Sequence, residues 1–169
     1  DSVSFSENLL DDLSRRDFTI NSMAYNRRTG VIDKFGGQKD LFRRIIKCVG
    51  EPAVRFNEDA LRIMRALRFA SELNFTVDTI TSAAIHDLRR LLGSVSVERI
   101  SRELNLLLTG AAPSNVLMEY GDVIATFIPE LRPCIGFDQH SRYHVYDIWT
   151  HTAVAIEHSK NDKDVRLAL

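Results

Sequence analysis

Arg55-Phe56-Asn57-Glu58-Asp59-Ala60-Leu61-Arg62-Ile63-Met64-Arg65-Ala66-Leu67-Arg68-Phe69-Ala70 is the stretch on which the reading of this chain turns. Asn57 is a helix-capping residue type, and Glu58 and Asp59 are acids that suit a helix N-terminus, so the pattern predicts a helix over 58–69. Ala60, Ile63, Met64, Leu67 and Ala70 form one apolar stripe for a core. Asp59, Arg62, Arg65 and Arg68 follow at steps of three. At about 100° per residue, each such step falls about 60° short of a full turn, so the four form an inclined ladder. Arg62 and Arg65 point nearly opposite the stripe, Asp59 and Arg68 border it, and Asp59 lies within pairing distance of Arg62. A carboxylate beside a guanidinium offers the acceptors and donors that reading a base edge requires. An amphipathic helix with a salt bridge on its wet face accounts for the same residues, and both readings stand open.

Working outward, Thr79–Leu92 reads as a helix ended by Gly93, and Ser96–Leu108 as another closed by Gly110. Shorter helices fit between Pro113 and Pro129, and one more begins near Asp147. Upstream the pattern is mixed. Val3 to Ser6 reads as the end of a strand, and Ser6 with Glu7 opens a short helix carrying Leu9, Leu10 and Leu13. Ser22–Asp33 reads as a hairpin, Gln38–Arg44 as a short helix and Ile45–Val49 as a strand. The expected fold is mostly α, with a small α/β N-terminal part.

The chain has 169 residues, 44% hydrophobic and 27% charged, which suits one medium domain or two small ones and excludes wholesale disorder. No apolar run approaches the roughly 18 residues of a membrane span, and Asp1–Ser6 lacks the character of a signal peptide. Cys48 and Cys134 make neither a disulfide framework nor a metal-ligand spacing, and read as reduced thiols of a cytoplasmic protein. Starting without Met and stopping in an apolar pattern, the sequence reads as a piece of something longer. The net charge of −1 hides a gradient: residues 15–110 carry 17 Lys and Arg against 11 Asp and Glu, between two acidic ends. That basic middle points modestly to a phosphate-bearing partner.

Three further clusters carry chemistry. Arg15-Arg16-Asp17 with Asn21 joins a helix end to the hairpin. Two guanidiniums can neutralise a polyphosphate while a carboxylate accepts from ribose hydroxyls, although arginines at a solvated helix C-terminus are also ordinary. Arg99 and Glu103 stand four apart on one helix face, the spacing of a helix-stabilising pair. His140, His144 and His151, with Asp147 between, are metal-type residues, yet no further His–Asp pair follows to complete a catalytic site. There is no glycine-rich phosphate loop and no nucleophile elbow. The one Asp-x-Asp, Asp162-Lys163-Asp164, reads as a solvated turn.

Taken together, Leu13-Ser14-Arg15-Arg16-Asp17-Phe18-Thr19-Ile20-Asn21, Ile32-Asp33-Lys34-Phe35-Gly36-Gly37 and Glu58-Asp59-Ala60-Leu61-Arg62, followed by Ser96–Glu103, resemble motifs of the class II tRNA nucleotidyltransferases and bacterial poly(A) polymerases, in the right order. Tyr143–Thr152 is similar to the opening of the HD-type tail of one branch. The resemblance implies the end of a nucleotidyltransferase head at 1–50, a nucleotide-selecting, RNA-binding helical neck at 51–132 and the start of an HD-type tail at 133–169. It implies that Arg16 and Asp17 contact triphosphate and ribose with Asn21 in support, that Asp59 and Arg62 select C and A, and that Arg65 and Arg68 hold nucleotide. Arg15, Arg99 and Glu103 would support them, and His151 would be the first metal-ligand histidine of the tail. It further implies CTP and ATP as substrates, a tRNA or other RNA 3′ end as partner, and Mg2+ bound by paired aspartates that this sequence lacks. The parent would thus be an RNA nucleotidyltransferase, and this piece alone inactive. A metal-dependent HD-type phosphohydrolase and a non-catalytic RNA-binding helical module are the alternatives. Full CCA addition, single-nucleotide addition and poly(A) synthesis share these motifs, and oligomeric state is not encoded in them.

Overall fold

The fold follows from where apolar residues recur at helical spacing and where glycine or proline interrupts them. A computed structural model describes residues 8–140 and 145–169. The expected strand at 3–6, the helix opening at Ser6-Glu7, and Tyr143 and His144 lie outside those residues. The chain is mostly helical with two small two-stranded sheets.

Helix α1 (Leu9–Ser14) is capped by Asn8, whose side chain accepts from the Leu10 backbone N–H at 3.0 Å. Of its leucines only Leu13 is buried; Leu9 and Leu10 are half exposed. A 3-10 turn (Thr19–Asn21) leads into the hairpin β1 (Met23–Asn26) and β2 (Gly30–Asp33), with Tyr25 opposite Val31. Asp33 then accepts from the backbone N–H groups of Gly37 and Gln38, both at 2.9 Å, and so starts α2 (Gly37–Arg43). The strand expected over 45–49 is shorter, β3 (Ile45–Ile46), and Cys48 forms an isolated bridge with Phe18. Its partner is β4 (Thr76–Val77), paired in parallel, a contact that no local pattern announces.

The decisive stretch folds differently from its expectation. Helix α3 (Pro52–Glu58) begins earlier, with Pro52 in the first turn, where its missing N–H costs nothing. Asn57 lies inside it instead of capping a new helix. The chain then breaks: Asp59 is extended, at φ −151° and ψ 105°, before α4 (Leu61–Leu73) starts. The expected stripe holds, with Ile63, Met64 and Leu67 fully buried and Ala60 and Ala70 nearly so.

Helix α5 (Thr79–Leu88), whose cap Asp78 accepts from the Ile80 and Thr81 N–H groups, packs on α3, and a 3-10 turn at Arg89–Ser94, which packs on α4, takes the last third of the helix expected to reach Leu92. Helix α6 (Val97–Leu108) follows, then α7 (Pro113–Glu119), α8 (Gly121–Phe127) and a 3-10 turn (Pro129–Cys134). Asp147 caps α9 (Ile148–His158), and Asp162 caps α10 (Lys163–Ala168), so Asp162-Lys163-Asp164 is a helix start and not the expected turn. Trp149 seats α9 on α7 by donating its ring N–H to the Leu117 carbonyl at 2.8 Å. One hydrophobic cluster runs from Phe18 through α4 to Ile156. Among the described residues, no helix is long and apolar enough to cross a membrane.

Candidate functional site

The end of α1, the break before α4 and the start of α6 converge on one polar cleft of about 370 Å³. Arg16, Asp17, Asn21, Asp59, Leu61, Arg62, Arg65 and Arg99 line it. Six of the seven residues expected to bind nucleotide are therefore brought together from two separate segments, 16–21 and 59–65.

Each is held by a definite partner. Asp17, only 7% exposed, receives the Arg65 Nε–H at 2.6 Å on one carboxylate oxygen and the Asn21 side-chain amide at 2.7 Å on the other. Arg16 donates to the Asn21 carbonyl at 3.2 Å and pairs with Asp12 on the exposed side. Arg62 donates to the Glu58 carboxylate at 2.7 Å, to the Arg55 carbonyl at 3.1 Å and across the cleft to the Arg15 carbonyl at 3.1 Å. Three of the five N–H groups of a guanidinium are thereby fixed, which sets the plane in which the other two point.

Several expectations change. Asp59 and Arg62 do not pair with each other. Because Asp59 sits in the break between α3 and α4, one oxygen accepts from the Leu61 N–H at 3.1 Å, in a capping role. The other meets Arg99 at 3.0 Å. Arg62 is satisfied by Glu58, four positions before it, so Glu58 serves as an ion-pair partner and not as the opening acid of the expected helix. Arg99 and Glu103 likewise do not pair on α6. Arg99 reaches Asp59, whereas Glu103 is buried against Arg68 at 2.9 Å.

Arg68 is the one expected nucleotide contact that lies outside the cleft. A buried carboxylate needs a countercharge, and Arg68 supplies it to Glu103. The pair is close but misaligned for a hydrogen bond, and the guanidinium lies over the Phe69 ring, 4.1 Å from its centroid. Leu61 is the lining residue that the sequence reading missed, since an apolar side chain beside a cap carries no signal of its own.

The histidine cluster is dispersed. His140 pairs with Asp138 on the surface, His151 is exposed on α9, and His144 lies outside the described residues. The Asp147 carboxylate is held below its usual range by the Thr150 backbone N–H and hydroxyl that it caps. Among the described residues, no three His, Cys, Asp or Glu side chains converge to hold a metal ion.

A mixed α/β corner bearing Arg-Arg-Asp is thus set against a helical segment that offers a carboxylate and a guanidinium to the same cleft. Residues 1–47 match the family described as the poly(A) polymerase head domain, and residues 74–134 the family described as the probable RNA and SrmB-binding site of polymerase A. The chain is 45% identical over 142 residues to the CCA-adding enzyme of Pediococcus pentosaceus, covering 84% of this chain and 35% of that one. It is 51% identical over 119 residues to the CCA-adding enzyme of Levilactobacillus brevis, covering 70% and 30%. The crystal structure of the Bacillus stearothermophilus CCA-adding enzyme in complex with CTP superposes with a TM-score of 0.68 at 44% identity, covering 70% of this chain and 30% of that one. The chain belongs to the class II tRNA nucleotidyltransferase and poly(A) polymerase family. It spans about a third of the length of the CCA-adding enzymes it matches.

Proposed function

We propose that this chain forms the nucleotide-selecting part of a template-independent nucleotidyltransferase that adds C and A from CTP and ATP to tRNA 3′ ends. The observation that carries the reading is the convergence of Arg16, Asp17, Asn21, Asp59 and Arg62 on one cleft. The names of the relatives and the CTP complex of the Bacillus stearothermophilus enzyme support it.

In the reaction, the RNA 3′-hydroxyl attacks the α-phosphate and pyrophosphate leaves; the residues of this chain bind and orient the nucleotide. Arg16 and Arg65 place positive charge beside the triphosphate. Asp17, oriented by Asn21, accepts from the ribose. Arg62, with its plane set by Glu58 and two carbonyls, donates to the base edge, and the Asp59 oxygens accept from an exocyclic amine. Cytosine and adenine both carry such an amine donor, whereas uracil presents an acceptor in its place, which is the physical basis of the selection. Residues 1–50, 51–132 and 133–169 are read as head end, neck and tail start.

The cleft does not fit Mg2+. Its two carboxylates each face a guanidinium, and two further arginines, Arg16 and Arg62, line the same cleft, a donor set that repels a divalent cation. No step is therefore assigned to a metal here.

The test is nucleotide binding to the chain, wild type against Arg62→Ala. A bidentate base contact discriminates by about 1–3 kcal/mol, so the wild type should favour CTP and ATP over UTP and GTP by roughly 5- to 150-fold, and the variant should lose most of that ratio. Equal discrimination by both proteins defeats the assignment of Arg62.

A further inference from the structure

Outside the cleft, the hairpin and α2 carry a charge pattern that nucleotide selection leaves unused. Residues 27–44 hold six cations against two acids, Asp33 and Asp40. Both acids face inward to the chain's own donors: Asp33 to the start of α2, and Asp40 to the Thr19 hydroxyl at 2.7 Å. Arg27 and Arg28 occupy the exposed hairpin tip, with Lys34 just beyond β2. Lys39 and Arg43 stand on α2 with Arg44 at its end, all exposed, and none of the six cations makes an ion pair among the described residues. Unpaired like charges repel, so a surplus of this kind is stabilised by an external polyanion.

Two aromatic side chains stand among these charges. Phe42 is 91% exposed and lies three residues after Lys39 and one before Arg43, so all three share one helix face; Tyr25, on β1, is 74% exposed. The Asp33 cap ties the end of β2 to the start of α2, so the hairpin and the helix are joined directly. Cations that track a phosphate backbone, interleaved with ring faces on which bases stack, are the physical requirements for holding a single strand of nucleic acid. A duplex gives such rings no base face to stack on. An acidic protein would satisfy the cations without using the rings.

We propose that the hairpin and the Lys39–Phe42–Arg43 face of α2 form a second contact, separate from the cleft, for single-stranded RNA. The inference rests on the proposed function for the identity of the polyanion as RNA, but uses none of the cleft residues.

The test is fluorescence anisotropy of the whole chain with a labelled single-stranded RNA 12-mer, a 12-base-pair RNA duplex and anionic phosphatidylserine vesicles, with CTP binding measured in parallel. The Lys39→Glu/Arg43→Glu variant should lose roughly tenfold or more in single-strand affinity at low salt and show a shallower salt dependence, with CTP binding unchanged. Phe42→Ala should lose about fivefold or more on the single strand and little on the duplex. Lys39→Gln/Arg43→Gln, which adds no new charge, should fall between wild type and the reversal. Unchanged RNA affinity in the charge variants overturns the proposal even where CTP binding is normal, and so does binding to the vesicles with none to RNA. Absence of CTP binding in the wild type would instead strike the reading of the cleft, while the RNA series would still decide the surface.

Discussion

The Nε of Arg65 lies 2.6 Å from a carboxylate oxygen of Asp17, joining the mid-point of α4 to the corner that follows α1. The two residues are 48 positions apart in sequence, and both line the cleft. Asp17 is buried on its own side of the pair, so the guanidinium neutralises a charge that would otherwise be stranded.

Arg65→Ala should therefore destabilise the protein as well as weaken triphosphate binding. Removing one partner of a fully buried pair costs about 3–5 kcal/mol. The Arg65 side chain is 32% exposed, so solvent screens part of the loss and about 2 kcal/mol is expected. Urea denaturation followed by circular dichroism measures it, and an unchanged midpoint would show that the pair contributes nothing.

Gly37→Ala should cost roughly 3 kcal/mol, with nucleotide binding retained in the folded fraction. A Cβ at this position would stand 2.1 Å from the Thr19 carbonyl oxygen and 2.9 Å from its carbon, and backbone cannot rotate aside as a side chain does. A thermal midpoint equal to that of the wild type would contradict this.

Trp149, the single tryptophan, is 6% exposed and hydrogen-bonded to α7. Trp149→Ala should cost about 3–5 kcal/mol through the cavity left between α7 and α9. Trp149→Phe keeps most of the volume and should cost less, isolating the loss of the bond to Leu117. Chemical denaturation of the two variants separates the contributions; equal losses would mean that the lost bond to Leu117 carries the whole cost and the cavity adds nothing.

Burial pushes the Cys48 thiol up to about 12, outweighing the Thr81 hydroxyl, which pulls it down, while the Asp17 carboxylate adds a smaller upward push and Arg62 and Arg55 smaller downward ones. Because the folded protein holds the proton more tightly than the unfolded chain, the thiol's contribution to stability is intact below about pH 9 and is lost progressively towards pH 12. Cys48→Ala should flatten that alkaline decline in an unfolding series. In the wild type, Cys48 should resist a thiol reagent at pH 8 until the chain is unfolded.

The apolar stripe of α4, the hairpin and the long helices were legible because each rests on a local period or a local turn. The break at Asp59 was not. Acids at 58 and 59 after Asn57 mimic a helix start, and only the earlier Glu51-Pro52 step signals that a helix is already under way. Convergence on the cleft was legible only through resemblance, since nothing local brings Arg16 and Arg62 together. The partner exchange among Asp59, Arg62, Arg99 and Glu103 was hidden for a related reason. Spacing of three or four proposes pairs along one helix, whereas tertiary packing gave Asp59, Arg99 and Glu103 partners on other elements and left Arg62 to Glu58, four positions earlier. Arg68 shows the limit most clearly, because the buried acid that claims it lies 35 positions downstream.

The two matched families leave residues 48–73 between them, and that interval holds α4, the rod on which the shared cluster is built. Ancestry and autonomy therefore part company here. Expressed alone, either matched stretch would present to water the side chains that should have met Ile63, Met64 and Leu67, and would come out as sticky, insoluble material. The unassigned middle is the mortar: anyone dividing this polypeptide for biochemistry should keep it attached to both neighbours.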